Sequence, residues 1–299
     1  MTAFRITQRS VAQRTNANLQ LSLRRLATTQ EQLSSGRQIS RPSDNPVGTV
    51  SALRLRSNIR ASEQYVRNAE DGLGWLSAAD NTLTSSLNQV RRVRDLTLQA
   101  ANGTNGENER RAMAVEILAI RDSLIGLANT EHLGRAIFGG TADGIPPYDA
   151  AGAFQITGAA ATGAIERTVA PGEQVRVNLT GPEIFGTEPN NLFNVLTTIA
   201  TDLLANDPSN LDTHIAALDD RMRGVTDALG EIGARYNRVE TMKDRATEQI
   251  ITLKTSLSEV EDIDLPATIM DLQLQETAYK AALSATARVL QPSLVDFLR

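Results

Sequence analysis

The sequence predicts a mainly α fold: an elongated antiparallel coiled-coil helical bundle formed by both chain ends, with a small inserted β domain. Three observations carry this. An apolar repeat at alternating steps of four and three runs through fifteen sites from Leu211 to Val260, and only Lys243 among them is polar. A second repeat of that kind runs from Ala52 to Thr97. Between the two, residues 138–192 are punctuated by Gly and Pro and carry short alternating runs. Sustained heptad spacing belongs to helices in side-by-side contact, and alternation belongs to a half-buried strand.

In chain order, Leu19, Leu23, Leu26 and Leu33 form a heptad stripe behind an almost wholly polar start. Pro42-Ser43-Asp44-Asn45-Pro46 reads as a turn that delivers Pro46 to a first helical turn. The second helix then carries Leu55, Ile59, Leu73, Leu76, Leu83 and Val90 on its seam, with Asp80 and Arg94 as polar sites that set register or meet a neighbour. It stops at Asn102-Gly103-Thr104-Asn105-Gly106, a loop sequence. A third helix follows, with Met113, Ile117, Ile120, Leu124 and Leu127 on one stripe. In the insert, Val175, Val177 and Leu179 alternate with Arg176 and Asn178, as a strand requires. Asp207 and Pro208 supply an N-cap and first-turn pair for the 211–260 helix, which is about 75 Å long at ~1.5 Å per residue. Near the end, Ile269, Leu272, Tyr279, Leu283, Leu290 and Phe297 share a stripe interrupted by Glu276, Thr286 and Ser293. Both terminal helices are thinly apolar and gain little from folding alone. They either pack on the body of their own chain or order on pairing with other chains.

Glycines in helices cost about 1 kcal/mol each relative to Ala. Gly72 and Gly74 lie in the second helix, and Gly224, Gly230 and Gly233 in the long fourth one. They are expected where another backbone comes close, within the chain or between subunits.

The 299 residues are 41% hydrophobic but only 4% aromatic, so the apolar supply is aliphatic and suits helix packing better than a large enzyme core. With no cysteine, disulfides, thiolate metal sites and cysteine nucleophiles are excluded together. His132 and His214 leave little for histidine catalysis or zinc. Residues 1–67 hold eleven Arg against three acids, +8, and the remainder balances at −13. The Arg residues are spread out and lack interleaved aromatics, so pairing with acidic protein surface is expected and nucleic acid is not. No run of about 18 apolar residues predicts a membrane span, and no apolar h-region follows Met1, so no cleaved secretory signal is expected. The sequence has no Walker loop, Rossmann fingerprint, nucleophile elbow or paired-histidine motif. Glu259, Glu261, Asp262 and Asp264 lack the glycine and terminal Glu of a calcium loop and read as a helix end with the cap before Pro266. Asn178-Leu179-Thr180 and Asn102-Gly103-Thr104 match the glycosylation triplet, a short pattern that recurs by chance. An enzyme is not expected, nor a cofactor or metal. A coiled-coil scaffold remains open on the seams alone, with a carboxylate-pair hydrolase more distant.

Several stretches together resemble the flagellin superfamily. They are Leu33-Ser34-Ser35-Gly36-Arg37-Gln38-Ile39, Gln64-Tyr65-Val66-Arg67-Asn68, Arg94-Asp95-Leu96-Thr97-Leu98-Gln99-Ala100-Ala101-Asn102-Gly103-Thr104, Ile232-Gly233-Ala234-Arg235-Tyr236-Asn237-Arg238-Val239-Glu240 and Glu261-Asp262-Ile263-Asp264. Within it, Pro42-Ser43-Asp44-Asn45-Pro46, the Ile137-Phe138-Gly139-Gly140-Thr141 turn and the Leu290–Leu298 tail are similar to the hook-associated branch of the hook–filament junction. Asn45 in place of a second Asp departs from that branch, and Arg299 is more like flagellin, the alternative. The resemblance implies a structural protein exported unfolded through the flagellar type III apparatus. Its terminal helices would be disordered in the monomer and form an inner tube on assembly, a role that falls here to Leu19, Leu23, Leu26, Leu33, Leu272, Tyr279, Leu283, Leu290 and Phe297. Implied partners are further copies in a ring, an adjacent hook-associated junction protein, flagellin and an export chaperone. The division expected is an assembly segment at 1–46, a helical body from 47–137 and 193–265, a β insert at 138–192 and an assembly helix at 266–299.

Overall fold

The computed structural model describes the backbone of residues 8–102 and 106–290, and the side chains of residues 13–102 and 106–287. Helices dominate: α1 (Gln8–Ser35), α2 (Pro46–Ala101), α3 (Glu107–Ala128), α4 (Gly181–Phe185), α5 (Leu192–Leu204), α6 (Leu211–Glu261) and α7 (Leu265–Leu290). Two small antiparallel sheets complete the fold, β1 (Glu131–His132) with β2 (Arg135–Ala136), and β3 (Glu166–Ala170) with β4 (Glu173–Arg176). Two compact units result, one of Met1–Arg60 with Ile250–Arg299, the other of Ala61–Gln249.

The Ala61–Gln249 unit holds the main hydrophobic core. On α6, Leu211, Leu218, Val225, Ile232, Val239 and Ala246 are buried at every seventh residue, while Ile215, Met222, Leu229 and Tyr236 on the second seam position are half-buried. On α2, Ala69, Leu76, Leu83, Val90 and Thr97 are buried at the same interval. A helix returns to one face every seven residues, so this spacing keeps one stripe against a neighbour along its length. The two helices run antiparallel: Arg94 Nε lies 2.6 Å from Asp219 Oδ1, whereas Gly72 approaches Val239. Arg94 is thus a cross-helix pair at a seam position, and Asp80 faces solvent. α3 joins this core through Met113, Ile117 and Leu124.

The stretch 193–210 contains a helix, α5, that the heptad reading does not single out. Its N-cap is Asn191, whose side chain accepts the N–H of Asn194 at 2.8 Å. Leu192, Phe193, Leu196, Ile199, Ala200 and Leu203 bury one face of it. The turn before α6 also differs from expectation. Asp207 accepts the N–H of Ser209 at 3.0 Å and the Pro208 carbonyl accepts that of Leu211 at 3.3 Å, so Asp207-Pro208 opens the turn that leads into the helix, which begins only at Leu211.

The insert is joined to the helices by polar clamps. Arg167 pairs with Asp71 of α2 at 2.6 Å, Asn68 donates to the Thr168 carbonyl at 2.8 Å, and Arg235 of α6 donates to the Asn178 carbonyl at 2.9 Å. Arg238 of α6 pairs with Glu173. Asn178 is buried, accepting the Ile165 N–H at 2.7 Å and donating to the Gly163 carbonyl at 2.9 Å, so its glycosylation-like triplet is a folding device. Gly140, at φ +64°, needs to be glycine: a Cβ there would sit 2.1 Å from the Ala160 carbonyl oxygen. The scarce aromatics gather here, with Tyr148 centred 4.8 Å from Phe193, 5.3 Å from Phe154 and 5.8 Å from Phe185.

In the Met1–Arg60 and Ile250–Arg299 unit, α1 and α7 run side by side. Arg37 bridges to Asp262 while Thr29 donates to Gln275 at 3.3 Å, so the two directions oppose. Backbone bonds from Gln38 N–H to the Glu261 carbonyl (2.6 Å) and from Ile263 N–H to the Gly36 carbonyl (3.1 Å) join their inner ends. Asn45 caps α2 by accepting the Gly48 N–H at 2.9 Å, with Pro46 first in the helix as expected. Asp264 caps α7 through the Ala267 N–H at 3.1 Å. Glu261 is buried against Arg56 at 2.6 Å, so this acidic group is a helix end, a cap and an ion pair.

Candidate assembly surfaces

The terminal unit is built with its apolar groups turned outward. Among the described residues it buries two hydrophobic side chains, Ala52 and Ile59, yet leaves eleven large ones exposed, against five in the Ala61–Gln249 unit. Val47, Leu53, Met270 and Leu274 are each more than half exposed. Of the side chains expected to form an assembly stripe, Leu19, Leu26 and Leu33 of α1 and Leu272 and Tyr279 of α7 are half-buried, and Leu23 and Leu283 are exposed. The structure places these seven on the paired helices α1 and α7, with none fully covered. Leu290 closes the described backbone of α7 and its side chain, like all of Phe297, lies outside the described residues. Large exposed apolar surface is uncommon on a soluble protein that stays monomeric.

The helical glycines divide into two kinds. A Cβ at Gly72 would lie 3.1 Å from Val177 of the insert, and one at Gly74 would lie 3.4 Å from the His132 ring. Both positions receive side chains of their own chain. At Gly230 and Gly233 a Cβ would meet nothing within 4 Å. Gly233 borders an open cleft of about 280 Å³ with Ser77, Asp80, Ile232 and Tyr236. A Cβ at Gly224 would lie 3.5 Å from the Ile184 carbonyl oxygen.

The titratable groups form structural pairs. His132 lies edge-on to Trp75, with ring centroids 5.8 Å apart, while His214 meets Asp202 at 2.7 Å, so the two histidines serve separate places. The hydrogen bond from Arg94 holds the Asp219 carboxyl below its ordinary range. Burial works against ionisation of Glu183, but hydrogen bonds from Arg176 and Thr180 outweigh it and lower its pKa. No three His, Cys, Asp or Glu side chains among the described residues are grouped to hold a metal ion, and no described helix is long and apolar enough to cross a membrane.

Family models match on both sides of the insert: the bacterial flagellin N-terminal helical region over residues 6–143, and the C-terminal helical region over residues 215–298. The chain belongs to the flagellin family. Flagellar hook-associated protein 3 of Escherichia coli (strain K12) is 26% identical over 279 residues, covering 85% of this chain and 87% of the relative. A flagellin of Halalkalibacterium halodurans is 24% identical over 94% of this chain and 93% of its own. A solved structure from Vibrio parahaemolyticus, provisionally named a flagellar hook-associated protein, superposes with a TM-score of 0.66 at 25% identity, covering 73% of this chain and 100% of that one. As a flagellin-family protein the chain is a structural component of the bacterial flagellum, which assembles with other flagellar proteins.

Proposed function

We propose that this protein is a structural subunit of the hook–filament junction, where copies form a ring through their terminal helices. The observation that carries the reading is the likeness to hook-associated protein 3, which extends along most of both chains. The outward-facing apolar side chains of α1, α7 and the start of α2 supply the surface for it. Residues 1–46 and 266–299 act as assembly segments that order on polymerisation, 47–137 with 193–265 as the helical body, and 138–192 as the insert. The neighbours would be another hook-associated junction protein on the hook side and flagellin on the distal side. A cytoplasmic chaperone holds the carboxyl-terminal segment before export through the type III apparatus, and the working site is extracellular. The role is mechanical, joining two tubes of different stiffness with no bond made or broken, and no cofactor, nucleic acid or membrane takes part.

Removing the protein from its cells tests this. Bare hooks with unpolymerised flagellin in the medium are the expected result; normal filaments overturn the reading. The near full-length match to the Halalkalibacterium flagellin favours filament flagellin as a second reading. That reading predicts long filaments from the purified protein alone, which a junction subunit does not form.

A further inference from the structure

The turn joining β1 and β2 presents Leu133 to solvent at 81% exposure, the highest of any large hydrophobic side chain among the described residues. Its backbone sits at φ +51°, in the left-handed region that a bulky side chain disfavours. An apolar side chain that is both exposed and held in a disfavoured conformation is unexplained by the fold of its own chain. The hairpin beneath it is firmly held. Ile137 N–H donates to the Thr130 carbonyl at 3.0 Å, Asn129 exchanges two hydrogen bonds of 2.8 Å with the Tyr148 backbone, and His132 rests on Trp75. Leu133 is therefore a preformed knob.

A shallow, open groove of about 430 Å³ lies between α2 and α3. Its lining includes the exposed Ala119 and the half-buried Ile120, with Gln89, whose amide donates to Ser123 Oγ at 3.0 Å. Arg92 and Glu116 pair across the rim at 2.8 Å and stay largely exposed. The knob carries the complementary charges, Glu131 before Leu133 and Arg135 after it. The hairpin meets α2 at Gly74 and Trp75, whereas the groove begins at Asn88. Fourteen residues of helix separate them, roughly 20 Å at ~1.5 Å per residue, so the knob does not reach the groove of its own chain.

We propose that Leu133 of one copy seats in the Asn88–Ser123 groove of a second copy. Glu131 and Arg135 of the incoming hairpin meet Arg92 and Glu116 at the rim. Knob and groove are different surfaces of one chain, so the contact is head-to-tail and, repeated, builds a ring where the rotation closes and a helical array where it does not. This inference rests on the reading of the protein as a subunit of a multi-copy assembly and names the contact that joins the copies.

The chain has no cysteine, which permits a clean test. Flagella are isolated from cells carrying the protein with Leu133→Cys and Ala119→Cys together, or either alone, and mildly oxidised. The double variant should give a ladder of covalent multimers of this chain, and the single variants dimers at most. If the protein is present in the flagella but the double variant gives no ladder, the knob-and-groove contact is overturned while the junction reading stands. If the unsubstituted protein is absent from isolated flagella, the junction reading itself fails. Leu133→Gly separates assembly from folding, because it relieves the disfavoured φ. The purified monomer should melt at the same or a higher temperature while incorporation into flagella falls at least tenfold; unchanged incorporation counts against the contact.

Discussion

Tyr148 is the side chain whose chemistry fits its surroundings least. It is almost fully buried among Phe154, Phe185 and Phe193, its hydroxyl has no hydrogen-bond partner, and burial pushes its pKa far up. A buried donor without a partner costs about 1–3 kcal/mol, so Tyr148→Phe should leave stability unchanged or raise it by about 1 kcal/mol in a urea melt. A clear loss would mean that the hydroxyl has a partner in solution. Asp219 and Glu183 make the opposite case. Both carboxyls have lowered pKa values in the folded chain, so each favours folding at neutral pH and loses that contribution as pH falls through its folded value. The melting temperature should therefore drop below about pH 4, near the ordinary carboxylate range. Asp219→Asn should flatten part of this acid dependence, and an unchanged profile would show that the Arg94 pair contributes nothing. Neither Tyr148's neighbours nor the partner of Arg94 can be read from the sequence, since each contact joins residues far apart in the chain.

At the scale of elements, the heptad repeats predict α2 and α6 closely because helical periodicity is a local property, written in every turn. The limits of α6 fall within one residue of the 211–260 repeat. α5 is different: its burial depends on packing against α3, and thirteen residues are too few for a sustained repeat. The β1–β2 turn is likewise invisible to alternation, because its strands are two residues each. The glycines separate at this scale too. Gly230→Ala and Gly233→Ala should each stabilise the monomer by about 1 kcal/mol in chemical denaturation, since helix propensity improves and no neighbour is displaced. Gly72→Ala should gain little, because Val177 must give way. If Gly230 and Gly233 serve contacts between subunits, bulkier substitutions there should lower incorporation into flagella without destabilising the monomer. Full incorporation would leave them without that role.

On the scale of the whole molecule, burial is divided unevenly between the two units. The Ala61–Gln249 unit carries nearly all the fully buried apolar side chains, and the terminal unit carries most of the exposed ones. We expect the first unit to fold on its own core and the second to find its apolar partners on assembly. Deleting residues 290–299 should therefore leave the cooperative melt of the core unit unchanged while abolishing incorporation into flagella. Measured by circular dichroism and by blotting isolated flagella, retained incorporation of that truncation would exclude the terminal segment as an assembly element.

The sequence alone determined the mainly helical class, the two long helices, the turn at Pro42–Pro46 and the family, because each is written in local spacing or contiguous motifs. The low aromatic content correctly pointed to aliphatic helix packing, yet the gathering of five rings, Phe138, Tyr148, Phe154, Phe185 and Phe193, emerged only in the fold. Tertiary structure decided which glycines are crowded and which are open, that Asn178 is a buried hydrogen-bonding hub, and that Leu133 projects from a clamped hairpin. These are properties of neighbours distant in sequence, and no local pattern encodes the distance between residues that only folding brings together.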